Sequence, residues 1–269
     1  MTMNFIVDEE KCIHCGMCIK DCSVNVLEFN ENRVPYPEHE ERCFKCQHCF
    51  AICPTGAISI FGKKPENSSP TQNNYNSEEI LNLIKDRKSV RQYQQKNIDK
   101  ETFDKLKEML KYIPTGTNSR GLHFSFIEDV EKMNEVRKKI YSELIKHSEQ
   151  DERLRQSFGW AINGYKSGND ALFRTAPHIV VVSNAKTASC QDADPIIALS
   201  YFELYAKSLN LGTCWNHATM WCLRSIPELQ KLFDIPETHN IGGAMLFGIP
   251  SVGYKRSTQP DDYLIHTVK

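Results

Sequence analysis

Hydrophobic positions first recur at helical spacing after Ser77. Ser77 and the two acidic residues that follow it are typical of a helix N-terminus, and Ile80, Leu83 and Ile84 then share one face. This pattern predicts an amphipathic helix whose start is capped and enriched in negative charge.

A second amphipathic helix is predicted to begin after its N-cap, Asp99, and to end before Pro114. Its apolar positions also recur at helical spacing: Phe103, Leu106, Met109 and Leu110. Further along, the mostly apolar segment Pro195–Leu209 predicts a long helix that ends near Gly212.

Two continuous apolar runs, His178–Ser183 and Asn240–Gly248, are typical of buried strands. Strands separated by helices indicate an α+β or α/β layer structure. The longest uninterrupted apolar stretches, Ile179–Val182 and Ala244–Phe247, are too short to span a bilayer. We therefore expect a soluble protein, and a cytoplasmic one because residues 1–15 contain no apolar signal segment.

The segment Gly62–Ser77 is rich in Pro, Ser and Asn and has no hydrophobic periodicity, which is typical of a linker. In a chain of 269 residues it predicts two domains, 1–62 and 78–269, joined by a linker at 63–77. The first domain has 9 acidic and 5 basic side chains, and no basic stripe anywhere in the chain indicates a nucleic-acid partner.

Eight of the eleven cysteines form two copies of the spacing C-x-x-C-x-x-C-x-x-x-C. The two copies are Cys12, Cys15, Cys18 and Cys22, then Cys43, Cys46, Cys49 and Cys53. The two-residue gaps let three thiolates of a short loop converge on one face of an iron–sulfur cluster. A disulfide framework would need an oxidising compartment, and a zinc site would use two separated pairs of ligands. The spacing therefore favours two 4Fe-4S clusters.

Residues 5–62 resemble bacterial 2x(4Fe-4S) ferredoxins, and both cysteine runs carry the apolar tail of that family, Val24–Phe29 and Ala57–Phe61. The resemblance implies that the fourth cysteine of each run ligates the other cluster. The two ligand sets are then Cys12, Cys15, Cys18 and Cys53, and Cys43, Cys46, Cys49 and Cys22. Ser23 stands where the family usually has proline, which removes a backbone restriction but no ligand.

Two cationic segments are candidate sites for an anionic ligand, one after the first predicted helix and one after the last predicted strand. Their polar residues are Arg87, Lys88, Ser89 and Arg91, and Lys255 and Arg256. Guanidinium and hydroxyl groups suit phosphate oxygens. Taken alone, however, basic residues in the last turn of a helix also complement its dipole.

Five elements in order give residues 78–269 a resemblance to the nitroreductase family of FMN enzymes. The chain has a counterpart of each of the five family elements. These elements are R-x-S-x-R/K-x-F/Y, P-S-x-x-N-x-Q-P-W-x-F, A-P-H-x-I/V-V, A-L-G-L-G-x-x-W, and G-Y/I-P with a final basic pair. The counterparts are Arg87–Tyr93, Pro114 with Asn118 and Phe124, Ala176–Val181, Ser208–Trp215, and Gly248–Pro250 with Lys255 and Arg256.

The resemblance implies an α+β sandwich and an intertwined homodimer with FMN bound at the interface. It assigns the phosphate and ribityl end of FMN to the two cationic segments, and Arg91 to the pyrimidine edge of the ring. Pro114, Thr115 and Asn118 would reach the flavin of the opposite subunit. Trp215–Ala218, which includes His217, would pass the N5 edge, and Asn169 would bond the ring.

The chain also departs from the family pattern. Arg120-Gly121-Leu122 replaces Q-P-W, which removes an aromatic wall and adds a cation, so the acceptor's shape does not carry over. Cys190, Cys214 and Cys222 have no predicted role beyond packing. Core packing is also expected of the aromatic residues Phe158, Trp160 and Tyr165.

Clusters carry one electron at a time and flavin carries one or two, so the combination predicts an FMN-dependent oxidoreductase that reduces a small organic acceptor at flavin N5. Nitroaromatics and quinones are the acceptors that the resemblance implies, and ferredoxin or NAD(P)H is the donor. The alternatives are an electron-transfer protein that serves a protein partner, or a flavin-dependent dehalogenase or enone reductase.

Overall fold

The computed structural model describes residues 3–268, and the chain divides into two compact units between Tyr75 and Asn76. Within the predicted linker the structure has a single 3-10 turn, Pro65–Asn67. No described helix combines the length and the apolar character needed to cross a membrane.

The first unit is built from two similar halves. Its strands and helices are β1 (Ile6–Val7), α1 (Met17–Lys20), β2 (Leu27–Phe29), β3 (Pro35–Pro37), α2 (His48–Ala51) and β4 (Ile58–Ser59). Strand β1 pairs antiparallel with β4, so the two ends of the unit are joined, and β2 pairs with β3. Each helix follows a left-handed residue, Gly16 (φ 72°) or Gln47 (φ 64°), which turns the chain between the second and third cysteines of its run.

The second unit contains a four-stranded antiparallel sheet and six helices in its described part. The helices are α3 (Ser77–Asp86), α4 (Lys100–Met109), α5 (Val130–Gln150), α6 (Glu152–Lys166), α7 (Ala193–Ser208) and α8 (His217–Ser225). The strands are β5 (Leu122–Ile127), β6 (His178–Ala185), β7 (Gly212–Trp215) and β8 (His239–Gly248), in the spatial order β5-β6-β8-β7.

Helices cover both faces of this sheet. Ile179 and Val181 of β6 pack with α5 and α6 in one core cluster, and Val180 and Val182 pack with α4 and α7 in another. All four side chains have no exposed surface, which is why this strand is a continuous apolar run. The result is the layered α+β arrangement predicted from the sequence.

The first helix of this unit differs from the prediction in two details. Ser77 is the first residue of α3, and the cap is Asn76, whose side chain accepts hydrogen bonds from the N–H groups of Glu78 and Glu79. The apolar face of α3 is not buried within the chain, since Ile80 and Ile84 are each 49% exposed. Periodicity shows which face of a helix is apolar but not what covers it.

Candidate functional site

The first predicted ligand set comes together around one cavity of about 20 Å³. Cys12, Cys15 and Cys18 of the first run line it together with Cys53 of the second run. The pairing of β1 with β4 brings the second run's last cysteine beside the first run. This arrangement is the crossed one that the ferredoxin resemblance implies.

The second set lies partly around the small core of the same unit, where Cys22, Cys43 and Cys49 pack. Cys46 is exposed. Backbone N–H groups point at the sulfurs: Val26 donates to Cys22 at 3.3 Å and Lys45 donates to Cys43 at 3.4 Å.

Burial raises the pKa of Cys18 to about 11 and that of Cys49 to about 12. For Cys53, burial acts in the same direction, but hydrogen bonds from the Ala57 N–H and the Thr55 hydroxyl bring its pKa below the ordinary value. Binding of iron by Cys18 and Cys49 would therefore release the protons of both thiols.

In the second unit, the two cationic segments meet in one open cavity of about 420 Å³ beside the start of β7. Its lining includes four predicted site residues, Arg87, Lys88, Lys255 and Arg256. It also includes Lys207 from the end of α7, which sequence reasoning missed because one lysine at a helix end carries no pattern of its own.

Backbone hydrogen bonds attach the first segment to β7 and to the residue that follows β8. The Val90 N–H donates to the Thr213 carbonyl at 2.8 Å, and the Gln94 N–H donates to the Ile249 carbonyl at 2.8 Å. Farther along, the Ser257 hydroxyl donates to the Asp86 carboxylate at 2.8 Å. The first segment thus joins the edge of the sheet, and the C-terminal segment folds back along it.

Glycine at position 212 permits this attachment. A Cβ there would lie 2.7 Å from Cβ of Val90, closer than side-chain carbons approach one another. The glycine is therefore needed for the close approach of β7 to the segment after α3.

Glu203 is a second residue that the sequence analysis missed. It lies on α7, and its carboxylate accepts hydrogen bonds from Arg87 Nη1 (3.2 Å), Thr213 Oγ1 (3.3 Å) and Trp215 Nε1 (3.2 Å). The one signal in the sequence is a carboxylate within an otherwise mostly apolar helix.

Ser89 and Arg91 lie on the same segment as Arg87. Ser89 pairs with Thr213 in an isolated bridge, and Arg91 Nη1 donates to the Ser89 carbonyl at 3.3 Å. Tyr93 is buried, which raises its pKa, and its hydroxyl donates to the Val90 carbonyl at 2.7 Å. The aromatic position of the R-x-S-x-R/K-x-F/Y element thus anchors the segment in the core.

The predicted N5-edge residues lie at the other end of β7. Trp215 is half-buried, and its ring is parallel to that of exposed His217 with 5.9 Å between centroids. Asn216 caps α8 by accepting from the Thr219 N–H at 3.0 Å, and its amide donates to the Leu172 carbonyl at 3.0 Å. Ala218 is half-buried in the first turn of this helix.

The bond from Asn216 to Leu172 ties the loop after α6 to this end of the strand. Asn169 lies on that loop, is exposed, and donates its N–H to the Gly164 carbonyl at 2.8 Å. The same loop contains Arg174, which with Arg91 offsets part of the pKa rise that burial causes in Cys214.

Pro114, Thr115 and Asn118 precede β5, at the opposite edge of the sheet from the basic cavity. Thr117, Asn118 and Arg120 all have φ between 51° and 53°, a conformation that residues other than glycine rarely adopt. The loop is held by the Gly116 N–H, which donates to Asp194 at 2.9 Å, and by Thr115, whose hydroxyl accepts from the Arg120 N–H. Within one chain, these three residues therefore lie at the opposite edge of the sheet from Arg87 and Arg256.

The cysteines and aromatic residues that have no predicted role mostly pack in the core. Cys214 and Cys222 are buried, and burial raises the pKa of Cys222 to about 12. Phe158 lies in the core and Tyr165 stacks on Tyr141 at 3.9 Å, as expected of packing, whereas Trp160 is 50% exposed.

Two family models match the chain, one in each unit. The 4Fe-4S dicluster domain matches residues 11–66 and the nitroreductase family matches residues 84–249. An uncharacterised ferredoxin of Methanocaldococcus jannaschii is 39% identical over 75 residues, which cover 27% of this chain and 97% of that protein.

Solved structures match the second part of the chain in fold. A nitroreductase with bound FMN from Bacteroides fragilis has a TM-score of 0.59 and 24% identity, covering 72% of this chain and 100% of its own. A nitroreductase with bound FMN from Desulfitobacterium hafniense has a TM-score of 0.57 and 22% identity, covering 71% and 98%.

The cysteine runs and the α+β unit together define an iron–sulfur oxidoreductase with a dicluster ferredoxin domain. The chain belongs to the nitroreductase family. The predicted fold class and the predicted fusion of these two domains are confirmed. The homodimer, the domain boundaries and the individual site residues stay predictions.

Proposed function

We propose that this protein is an FMN-dependent reductase that takes electrons in through its two 4Fe-4S clusters and reduces a small organic acceptor, such as a nitroaromatic or a quinone. The observation that carries the proposal is the basic cavity. Arg87, Lys88, Lys207, Lys255 and Arg256 come from three separate parts of the chain and converge beside the edge of the sheet.

The cavity fits the phosphate end of FMN. Its lining contains five cations and one carboxylate, Asp86, so it attracts a dianion, and guanidinium groups match phosphate oxygens in geometry. At about 420 Å³ it has room for a phosphate and part of a ribityl chain. FMN in the matched nitroreductase structures supports the same cofactor here.

From this cavity, β7 leads to Trp215 and the start of α8. We assign the N5 edge of the flavin to this end of the strand, with Trp215–Ala218 beside it, and the pyrimidine edge to Arg91, whose charge favours a reduced, anionic ring. Asn169 is assigned to the same end because its loop is tied there through Asn216.

Bound FMN supplies the conversion between one-electron transfer from the clusters and two-electron reduction of the acceptor. The protein's own residues bind and orient it, and no side chain need act as a nucleophile. Electrons come from a ferredoxin or another low-potential donor. No G-x-G-x-x-G follows a strand in the sequence, but direct binding of NAD(P)H over the flavin would not need that motif.

Pro114, Thr115 and Asn118 complete the site from a second copy of the chain. Their loop lies at the other edge of the sheet and holds three non-glycine residues in the left-handed region. The half-exposed apolar face of α3 is compatible with an extensive contact between the copies.

The test of the phosphate assignment uses Arg256→Ala, with Lys105→Ala as its control. Lys105 is a surface cation of α4 paired with Glu101, away from the cavity. Loss of one charge-assisted contact should weaken FMN binding by about 1.5–3 kcal/mol, so Arg256→Ala should lose FMN on desalting. Stoichiometric FMN at wild-type affinity in Arg256→Ala would show that the phosphate lies elsewhere.

The reaction is tested anaerobically, with reduced ferredoxin or NADH as donor and a panel of nitro, quinone, enone and haloaromatic compounds. We expect turnover of nitro or quinone compounds with reduced ferredoxin. Reduction of protein partners alone would instead indicate an electron carrier, and turnover confined to haloaromatic or enone compounds would identify the corresponding alternative reductase.

A further inference from the structure

The buried carboxylate of Glu203 touches residues of the proposed FMN site without lining its cavity. Its side chain is 9% exposed, and three donors from two different segments surround it. Arg87, from the segment after α3, and Thr213, from β7, both donate to Oε1, and Trp215 of β7 donates to Oε2.

We propose that Glu203 is a positioning residue that holds the Arg87 guanidinium in the orientation that meets the phosphate of FMN. The inference rests on the proposed function. Thr213 and Trp215 fix the carboxylate, and the carboxylate in turn fixes the arginine. Each link is a hydrogen bond of 3.2–3.3 Å.

The guanidinium can serve both partners at once. Arginine carries five N–H donors in a planar fork, and Glu203 engages Nη1, which leaves the other donors for the cavity. The Arg87 side chain is still 36% exposed, so part of it faces solvent. An arginine that is already held loses less conformational freedom when the phosphate binds.

Glu203 also places a negative charge near a dianion, which acts against binding. Four further cations line the cavity, Lys88, Lys207, Lys255 and Arg256, so the potential there stays positive with the carboxylate present. We therefore expect the gain from holding Arg87 to exceed the repulsion. On balance, Glu203 should strengthen FMN binding.

The test measures the Kd of FMN for full-length protein from which flavin has been removed, in a double-mutant cycle. Glu203→Leu should weaken FMN binding about tenfold in the wild-type background and less than about twofold when Arg87→Ala is also present. Glu203→Gln keeps an oxygen that accepts from Arg87, so it should stay within about threefold of wild type.

The matched control is Phe202→Leu, a change at the neighbouring, 1% exposed core position of the same helix. It should lower the melting temperature and leave the Kd of FMN unchanged. A general loss of packing around α7 would instead weaken FMN binding in this variant too.

Several outcomes would overturn the inference. One is an equal loss for Glu203→Leu in both backgrounds, which would mean that Glu203 does not act through Arg87. Another is tighter binding in either Glu203 variant, which would mean that charge repulsion dominates. If Glu203→Leu does not fold, a tenfold loss in Glu203→Gln alone contradicts the hydrogen-bond role. Failure of the proposed function looks different, because Arg87→Ala by itself would then leave the Kd unchanged.

Discussion

The titration of His178 follows from its burial. This residue begins β6 and has no exposed surface; its Nε2 accepts from the Ile98 N–H at 3.2 Å, and its Nδ1 lies 3.2 Å from the Ile127 carbonyl. A neutral imidazole satisfies both contacts, as a donor at Nδ1 and an acceptor at Nε2. Burial lowers the pKa of His178 to about 4.

This shift makes the stability of the second unit depend on pH. Between about pH 6.5 and pH 4, His178 binds a proton in the unfolded chain but not in the folded unit. The free energy of unfolding therefore falls as the pH falls. The contribution of His178 has a slope of at most about 1.4 kcal/mol per pH unit and vanishes above pH 6.5. Urea unfolding followed by tryptophan fluorescence measures it, since Trp160, Trp215 and Trp221 all lie in this unit.

His178→Gln removes the titrating group and keeps an amide that donates and accepts. We expect the variant's free energy of unfolding to change less than that of the wild type between pH 7 and pH 5. Equal changes in the two proteins would show that His178 does not cause this part of the pH dependence.

A substitution of the single residue Cys53 tests the crossed ligation of the clusters. Two four-iron clusters require about eight irons per chain. Cys53→Ala should lower the iron content towards about four, because the first run would lose its fourth ligand. The control is Cys190→Ala, an exposed cysteine outside both runs, which should keep the full iron and sulfide content. Unchanged iron in Cys53→Ala would contradict the ligand set.

At the scale of secondary-structure elements, the attachment of β7 to the segment after α3 places Val90 and Thr213 together in the wall of the basic cavity. Gly212→Ala would place a Cβ 2.7 Å from that of Val90 and push the segment away from the strand. We expect a loss of about 1–3 kcal/mol in the free energy of unfolding, together with weaker FMN binding.

Gly159→Ala is the matched control, and its expected effect on the free energy of unfolding has the opposite sign. Gly159 lies inside α6, and a Cβ there would meet nothing within 4 Å. Alanine should stabilise the helix by about 0.5–1 kcal/mol and leave FMN binding unchanged. If both variants gave the same change in stability and in Kd, the close contact at Gly212 would have no role in the site.

At the scale of the whole molecule, the two units have separate cores and separate proposed tasks. Deleting residues 1–75 should leave a protein that binds FMN and reduces acceptors after chemical reduction with dithionite. It should no longer be reduced by ferredoxin, because the clusters are missing. Ferredoxin-driven turnover equal to that of the full chain would place electron entry directly at FMN and favour a nicotinamide donor.

Local features of the sequence were sufficient for much of this description. The cysteine spacing predicted the two clusters and their ligands, because three thiolates of each set lie within one short loop. Helix caps and apolar periodicity predicted α4, α7, β6 and β8 because these signals depend on neighbours within one or two turns or strand repeats.

Only the tertiary structure decided how distant parts of the chain meet. It brought Lys207 into the basic cavity, placed Glu203 against Arg87, and made a glycine necessary at position 212. It also left the apolar face of α3 half-exposed, which periodicity could not show. The physical reason is that burial, pKa shifts and ion pairing depend on the groups that pack around a residue, and most of those groups are remote in the sequence.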